Sequence, residues 1–201
     1  MAESNPLRQF LVYVFVLLIP CFALWTIGAG LLAMPATGFA NTVLNHWFPE
    51  IVDALYVDGE RALLMTHFGE KDGRPVPLAG AEYQFGFALD TRILSYSLPF
   101  YTALHFATPR EQYFNAWILG LLALYPLIAL GMISVALKEM MVGLGTVFFA
   151  QPGWVPGPNL IGIAYQISVL LVPTLAPVIL WLWQSRKSPL LADVVNALPR
   201  S

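Results

Sequence analysis

Residues 10–34 of the chain, FLVYVFVLLIPCFALWTIGAGLLAM, decide the fold class. They contain no Asp, Glu, Lys or Arg, and the charge-free run extends over residues 9–49. About 20 apolar residues are enough for a helix to cross the hydrocarbon core of a bilayer. The apolar region of a signal peptide is shorter than this stretch, so the sequence favours a retained membrane anchor.

The composition of the whole chain also indicates an integral membrane protein. Of 201 residues, 58% are hydrophobic and 11% are charged, whereas soluble domains carry about 25% charged residues. A net charge of −2 gives no basis for binding nucleic acid, and the single cysteine, Cys21, excludes an intrachain disulfide. Glycine-rich phosphate loops and metal-ligand motifs are absent from the sequence, so we expect no cofactor and no metal ion.

Three more segments are predicted to cross the membrane, which gives an α-helical integral membrane protein with four transmembrane helices. They are residues 93–109, 113–137 and 160–183. The first of these is marginal because it is short and contains Ser, Thr and His side chains. Every span contains proline, which removes a backbone donor and disturbs the helix. The candidate helix kinks are Pro20, Pro99, Pro126, Pro173 and Pro177.

The segment between the first two spans, residues 35–92, differs in character and holds eight of the twelve acidic residues. Apolar residues at helical spacing over residues 36–48 predict a helix that lies in the membrane interface. Two apolar runs flank the dipeptide Asp58-Gly59, which predicts a β-hairpin over residues 51–68. The alternating pattern of residues 83–89 predicts a third strand.

These strands predict a small antiparallel β insertion between helices 1 and 2. Residues 70–77, with one glycine and two prolines, are predicted to be a polar turn within it. A second interfacial helix and a Pro/Gly-rich loop that carries Trp154 are predicted over residues 138–158, next to the sheet.

The distribution of basic residues predicts the orientation. If the N-terminus is cytoplasmic, the inside segments are short but carry half of the ten basic residues, namely Arg8, Arg110, Arg186, Lys187 and Arg200. The positive-inside rule then places both termini, with the tail of residues 184–201, in the cytoplasm. The β insertion and residues 138–158 are predicted to be extracytoplasmic.

Arg92 is the polar residue with the strongest indication of a role. It lies where a predicted strand enters a membrane helix, two residues after Asp90. An arginine at this position is either an anchor that reaches to the interface or a fixed element of a partner-binding face. Asp90, Arg92 and Trp154 are therefore the candidate partner or substrate surface.

Cys21 is the one candidate nucleophile. A thiol enzyme would need a histidine base and a charged group beside it, and the sequence offers His105 and Arg92. The second span would place those two residues near opposite faces of the membrane, so the three side chains are not expected to converge. We predict no catalytic residues and no enzyme activity.

Four segments together resemble the exosortase H-associated membrane proteins, a family of small bacterial inner-membrane proteins. They are residues 20–25 (PCFALW), 45–51 (NHWFPEI), 92–100 (RILSYSLPF, followed by Ala103-Leu104) and 165–181 (YQISVLLVPTLAPVILW). The resemblance covers most of the chain. Its motifs consist of prolines, aromatics and aliphatics rather than catalytic residue types.

The resemblance implies a non-catalytic accessory subunit of an exosortase-type protein-sorting system. Its expected partners are the lipid bilayer, a polytopic exosortase-type membrane protein and exported proteins with a C-terminal sorting signal. Two alternatives from other classes stay open. One is a membrane thiol enzyme that uses Cys21, and the other is a small transporter or channel subunit, which the absence of buried acids in the spans disfavours.

Overall fold

A computed structural model of the protein describes residues 6–109, 113–186 and 188. Three of its helices are long and apolar enough to cross a membrane, and they comprise Leu7–Trp47, Tyr113–Leu144 and Pro158–Ser185. The structure therefore confirms a mostly helical protein with three candidate spans. The predicted inside residues Arg110, Lys187 and Arg200, and all of the predicted tail beyond 188, lie outside the described residues.

The first helix, α1, runs without a break over Pro6–Trp47 and has 42 residues. The predicted boundary between a span ending at residue 34 and a separate interfacial helix is therefore not a helix boundary. Both Pro20 and Pro35 lie within α1. Small side chains form the buried stripe of its second half, and Thr37, also on this stripe, donates its hydroxyl to the Ala33 carbonyl at 2.9 Å.

A four-stranded antiparallel sheet follows α1 and confirms the predicted β insertion. Its strands are β1 (Val52–Asp58), β2 (Arg61–Lys71), β3 (Arg74–Pro77) and β4 (Tyr83–Asp90). The long strand β2 is central. It pairs along one edge with β1 and then β3, and along the other edge with β4.

Strand β3 corrects the prediction of a polar turn over residues 70–77. The chain turns only at Asp72 and Gly73, whose φ angles are 52° and 73°. Two consecutive residues with positive φ are characteristic of a type I′ hairpin turn, and Asp-Gly is a preferred sequence for it. The dipeptide Asp72-Gly73 was thus the signal for a second hairpin. Pro75 and Pro77 are compatible with β3, because proline is tolerated in a strand at the edge of a sheet.

The β1–β2 hairpin folds back along the second half of α1. The Leu55 backbone N–H donates to Asn41 Oδ1 at 2.7 Å. Closer to the start of the helix, the Gly59 carbonyl oxygen occupies the place that a Cβ atom on Gly30 would take. The absence of a side chain at Gly30 therefore permits the hairpin turn to touch the helix backbone.

The predicted second span, residues 93–109, consists of two short helices, α2 (Arg92–Ser95) and α3 (Ser97–Ala107). Neither reaches the length of a bilayer crossing, so a fourth span stays a prediction. Pro99 is the third residue of α3, where its missing N–H removes no hydrogen bond within that helix.

Helix α4 (Tyr113–Leu144) is followed by Gly145, whose φ angle is 54°, and then by α5 (Thr146–Phe149). The second predicted interfacial helix is therefore the end of α4 together with this single turn. Helices α6 (Pro158–Gln166) and α7 (Val172–Ser185) are joined by a π-helical turn over Ile167–Leu171. Pro173 is the second residue of α7, and because it has no N–H it cannot form the regular α-helical bond there.

The chain divides into two compact units. Unit 1 contains the described residues within Met1–Gly28, Tyr96–Leu124 and Pro173–Ser201, and unit 2 contains Ala29–Ser95 and Tyr125–Val172. The core of unit 1 is a cluster of Phe10, Val14, Leu104, Ala107 and Trp181. In unit 2 the sheet packs on helices through close contacts, such as the Phe87 ring against the backbone of Gly143.

Candidate functional site

A charged cluster lies beside the turn between β1 and β2. It contains Asp90 and Arg92, two of the predicted site residues. Glu60 lies in this turn and forms an ion pair with the Arg92 guanidinium. Its backbone carbonyl accepts a hydrogen bond from the Thr91 hydroxyl at 2.9 Å, and Thr91 is only 1% exposed. The Arg92 backbone N–H donates to Asp90 Oδ1 at 2.9 Å. We call Glu60, Asp90, Thr91 and Arg92 the tip cluster.

The tip cluster ties the hairpin turn to the start of α2. The side chains of Arg92 and Glu60 are 38% and 62% exposed, so water screens their attraction and the pair contributes about 0–1 kcal/mol to stability. The hydroxyl of the buried Thr91 is the stronger tie, since its loss would leave the partly buried Glu60 carbonyl without this donor. Arg92 Nε is buried and has no hydrogen-bond partner among the described residues.

Trp154, the third predicted site residue, belongs to an aromatic cluster made of Trp47, Phe48, Phe148, Phe149 and Trp154. Its ring stacks on that of Trp47 with centroids 5.5 Å apart and planes 7° from parallel. The Trp47 indole N–H donates to the Trp154 carbonyl at 3.1 Å. Trp154 is still 64% exposed, so the Pro/Gly-rich loop presents one face of its ring on the surface of unit 2.

The structure brings Asp90 and Arg92 together but places Trp154 elsewhere. The Val52 N–H donates to the Phe48 carbonyl at 2.9 Å, so β1 begins at the aromatic cluster. The strand ends at Asp58, beside the tip cluster. At about 3.3 Å per residue these two ends are about 20 Å apart. The three predicted residues therefore belong to two surface regions at opposite ends of β1.

The far end of β2 carries a smaller polar contact. Tyr83 in β4 is paired with Glu70 in β2. A hydrogen bond with the Glu70 carboxylate raises the pKa of Tyr83, because that bond stabilises the protonated phenol. Tyr83 is 55% exposed, so water screens this contact and it adds little to the stability of the sheet.

Comparison with protein families shows to which family the chain belongs. A family model described as exosortase H-associated membrane protein matches residues 4–188 of the chain. The chain belongs to this family. No curated protein and no solved structure matches the chain.

The family assignment confirms the predicted resemblance, and it names exosortase H as the protein with which members of the family are associated. Together with three long apolar helices, it makes the chain a membrane protein.

Sequence reasoning missed a buried polar network in unit 1. The Tyr101 hydroxyl lies 2.7 Å from Gln184 Oε1, 3.1 Å from the Ala116 carbonyl and 3.2 Å from His105 Nδ1. Gln184 Nε2 donates to the same carbonyl at 3.0 Å. The other ring nitrogen of His105 lies 2.9 Å from the Tyr113 carbonyl.

This network links α3, α4 and α7 through polar atoms that are shielded from water. His105 is fully buried, and each of its ring nitrogens lies within hydrogen-bond distance of another group. A second polar contact, from the Trp181 indole N–H to the Thr108 hydroxyl at 2.7 Å, joins α7 to the end of α3. The signal in the sequence was the presence of His, Tyr and Gln within apolar segments, where polar side chains must find partners.

Cys21 does not belong to the part of α1 that packs on the residues flanking His105 in unit 1. Phe10 and Val14 of α1 pack against Leu104 and Ala107, which flank His105. Cys21 lies seven residues beyond Val14, about 10 Å further along the helix. No cluster of three His, Cys, Asp or Glu side chains that could hold a metal ion occurs among residues 6–109 and 113–186.

Proposed function

We propose that the chain is a non-catalytic accessory subunit of an exosortase H protein-sorting system in the bacterial inner membrane. In this proposal it packs against the exosortase through its apolar helices and presents the β-rich part of unit 2 on the extracytoplasmic side. The observation that carries the proposal is the match to the family over residues 4–188.

The exposed surfaces of the three long helices support the packing part of the proposal. Large apolar side chains are exposed along each of them, for example Ile27, Leu119 and Ile179. Lipid covers such a surface in a membrane, and a helix of another membrane protein can replace the lipid by close packing. The tip cluster and the aromatic cluster then offer polar and aromatic contacts outside the apolar layer.

We further propose that residues 93–109 form the fourth crossing, in which α3 is an inner helix of unit 1. Most of the α3 side chains are buried, including Tyr101 and His105. A helix that is shielded by its neighbours needs less apolar sequence than one that faces lipid, because its polar groups bond within the protein. Four crossings place both termini on one side, in agreement with the basic residues near them.

Co-purification tests the association. The chain and exosortase H would be co-expressed, extracted in a mild detergent and isolated through a tag on the chain. We expect recovery of a stable complex, and we expect deletion of the chain to impair processing of exported proteins that carry the C-terminal signal. A chain that purifies alone, with undisturbed processing after its deletion, would contradict the proposal.

Cysteine labelling tests the orientation. Cys21 would first be replaced by alanine, and a single cysteine would then be introduced at Asp58 in the hairpin turn. We expect a membrane-impermeant maleimide to label this cysteine from the extracytoplasmic side of intact spheroplasts. Retention of sorting by Cys21→Ala is also expected, since the proposed role uses no thiol.

A further inference from the structure

Strand β4 forms one outer edge of the sheet, and the backbone groups on its outer side follow from the pairing of its inner side. Asp58 and Arg61 face each other across the two-residue turn of the first hairpin, so the backbone groups of Arg61 point towards β1. Successive residues of a strand direct these groups to alternate sides. Ala62 therefore points towards β4, where its partner is Leu89. By the same alternation, Phe87 also points into the sheet.

The residues that alternate with these point away from the sheet. The Thr66 hydroxyl of β2 donates to the Phe85 carbonyl at 3.2 Å, as expected if Phe85 also points inwards. The N–H and C=O groups of Gln84, Gly86 and Ala88 then lie along the outer side of β4. Gly86 and Ala88 are exposed, and their backbone groups form no hydrogen bond with any residue that the structure describes outside the sheet.

The opposite edge of the sheet, formed by β1 and β3, is protected in two ways. The Leu55 N–H of β1 is already bonded to Asn41 of α1. Strand β3 carries Pro75 and Pro77, and proline has no N–H with which an added strand could pair. Residues 82–90 contain no proline, lysine or arginine, which are residue types that protect exposed edges from pairing. The edge of β4 is therefore left open to another strand.

The unpaired backbone groups determine what can cover this edge. Lipid chains and apolar helix surfaces offer no hydrogen bonds to N–H and C=O groups. An extended peptide offers both, at the spacing of a strand. Gln84, Gly86 and Ala88 each provide one donor and one acceptor for it. The side chains of Gly86 and Ala88 are small, so they do not obstruct the side chains of an added strand.

Charge distinguishes a second copy of the chain from another partner. Glu82 directly precedes β4 and Asp90 ends it, and both are exposed. In an antiparallel pair of two β4 strands centred on Gly86, Glu82 of each copy would lie opposite Asp90 of the other. A parallel pair in register would bring identical acids side by side. Like charges at these positions destabilise a strand pair, whereas opposite charges stabilise it, so the edge favours a partner with basic residues.

We infer that the open edge of β4 binds an extended, proline-free peptide segment with a basic side chain opposite Glu82 or Asp90. The segment adds a strand to the sheet by pairing with the outward backbone groups of Gln84, Gly86 and Ala88. The inference goes beyond the proposed association with exosortase H, because it uses residues of unit 2 alone and requires no exosortase.

Fluorescence anisotropy of a labelled peptide tests the inference on the purified full chain in mild detergent. The probe is Lys-Thr-Val-Thr-Val-Thr-Val-Thr-Lys, whose lysines have the spacing of Glu82 and Asp90. We expect saturable binding. Proline in place of the central valine should weaken binding about tenfold, because this valine lies opposite Gly86 and donates its N–H to the edge. Glutamate in place of both lysines should weaken it at least about threefold.

Ala88→Pro and Ala88→Thr are matched variants of the chain. Both change the same exposed residue, but only proline removes an outward N–H, and neither removes a hydrogen bond to β2. We expect Ala88→Pro to weaken binding of the probe about tenfold and Ala88→Thr to change it less than about twofold. Glu82→Gln removes a charge without altering the backbone and should weaken binding about two- to threefold, so the test stays valid if Ala88→Pro misfolds.

Hydrogen exchange of residues 83–90 provides a second measurement, and it should become slower when the probe binds. Four results would overturn the inference: no binding of the lysine probe, equal binding of the proline probe, equal binding of the glutamate probe, or unchanged binding by Ala88→Pro and Glu82→Gln. Slow exchange that depends on the concentration of the chain alone would also overturn it, since a second copy would then cover the edge. Co-purification with exosortase H tests the proposed function separately, and none of these results alters its outcome.

Discussion

Replacing Gly30 with alanine tests the contact that holds the β-hairpin against α1. The Gly59 carbonyl oxygen occupies the place of the new Cβ atom, and Val57 Cγ1 lies 3.5 Å from that place. The obstructing atom belongs to the backbone, so no change of rotamer relieves the collision. Overpacking of this kind costs about 1–3 kcal/mol, whereas alanine gains about 1 kcal/mol over glycine in helix propensity. We expect a net loss of about 0–2 kcal/mol in the free energy of unfolding.

The same substitution at Gly38 is the matched control. This residue lies two turns further along α1, and a Cβ atom there meets no atom within 4 Å. Only the gain in helix propensity remains, so Gly38→Ala should stabilise the protein by about 1 kcal/mol. The two variants should therefore differ by about 1–3 kcal/mol.

Both variants and the wild type would be unfolded in mixed micelles of mild detergent and SDS, with tryptophan fluorescence as the signal. A second measurement is the rate of tryptic cleavage after Arg61 in the native state, which should rise in Gly30→Ala because the turn is displaced from the helix. If both variants were equally stabilised, with cleavage unchanged, the contact between turn and helix would be refuted.

Three further predictions concern the polar and aromatic clusters. Tyr101→Phe should lower the free energy of unfolding in detergent by about 0.6–2 kcal/mol, while Tyr125→Phe, at a half-buried tyrosine with no hydrogen bond among the described residues, should change it little. Thr91→Val should cost about 1–3 kcal/mol, and Glu60→Gln at most about 1 kcal/mol, in the same unfolding titration. Trp154→Ala should abolish the exciton signal of the stacked indoles of Trp47 and Trp154 in the far-ultraviolet circular dichroism spectrum, and an unchanged spectrum would argue against the stack.

Local patterns predicted the elements of this fold well. The strand expected over residues 83–89 is β4, Tyr83–Asp90, because alternation of apolar and small or polar residues reports a sheet with one covered face. The dipeptide Asp58-Gly59 correctly indicated the first hairpin. Of the four apolar runs predicted to cross the membrane, three lie in long apolar helices, because length and hydropathy alone decide whether a helix can cross a bilayer, and the fourth run stays a prediction.

The continuity of α1 could not be predicted in the same way. The predicted span ended at residue 34, but Pro35, the next residue, lies within α1 on its exposed face. The apolar spacing on its two sides has the same helical period, so the sequence carries no second signal that the helix should stop. Proline inside a helix disturbs it but does not have to end it, and proline is more frequent in membrane helices than in soluble ones.

Local sequence patterns also could not predict contacts between segments that are far apart in the chain. Trp47 and Trp154 are 107 residues apart and stack only because β1 returns the chain along α1 while the Pro/Gly-rich loop closes over the helix end. Tyr101 and Gln184 meet across 83 residues. Spacing within one element indicates which face a residue occupies, whereas the partner of that face depends on the packing of other elements.

The charge-free stretch at residues 9–49 combines both cases. Its length and hydropathy predicted a helix that can cross a bilayer, and α1 is such a helix over Leu7–Trp47. Within the same stretch, the backbone of Gly30 meets the Gly59 carbonyl of the β1–β2 turn. The local sequence around Gly30 could not predict this contact, because the turn belongs to a later element and reaches α1 only when the hairpin folds back along it.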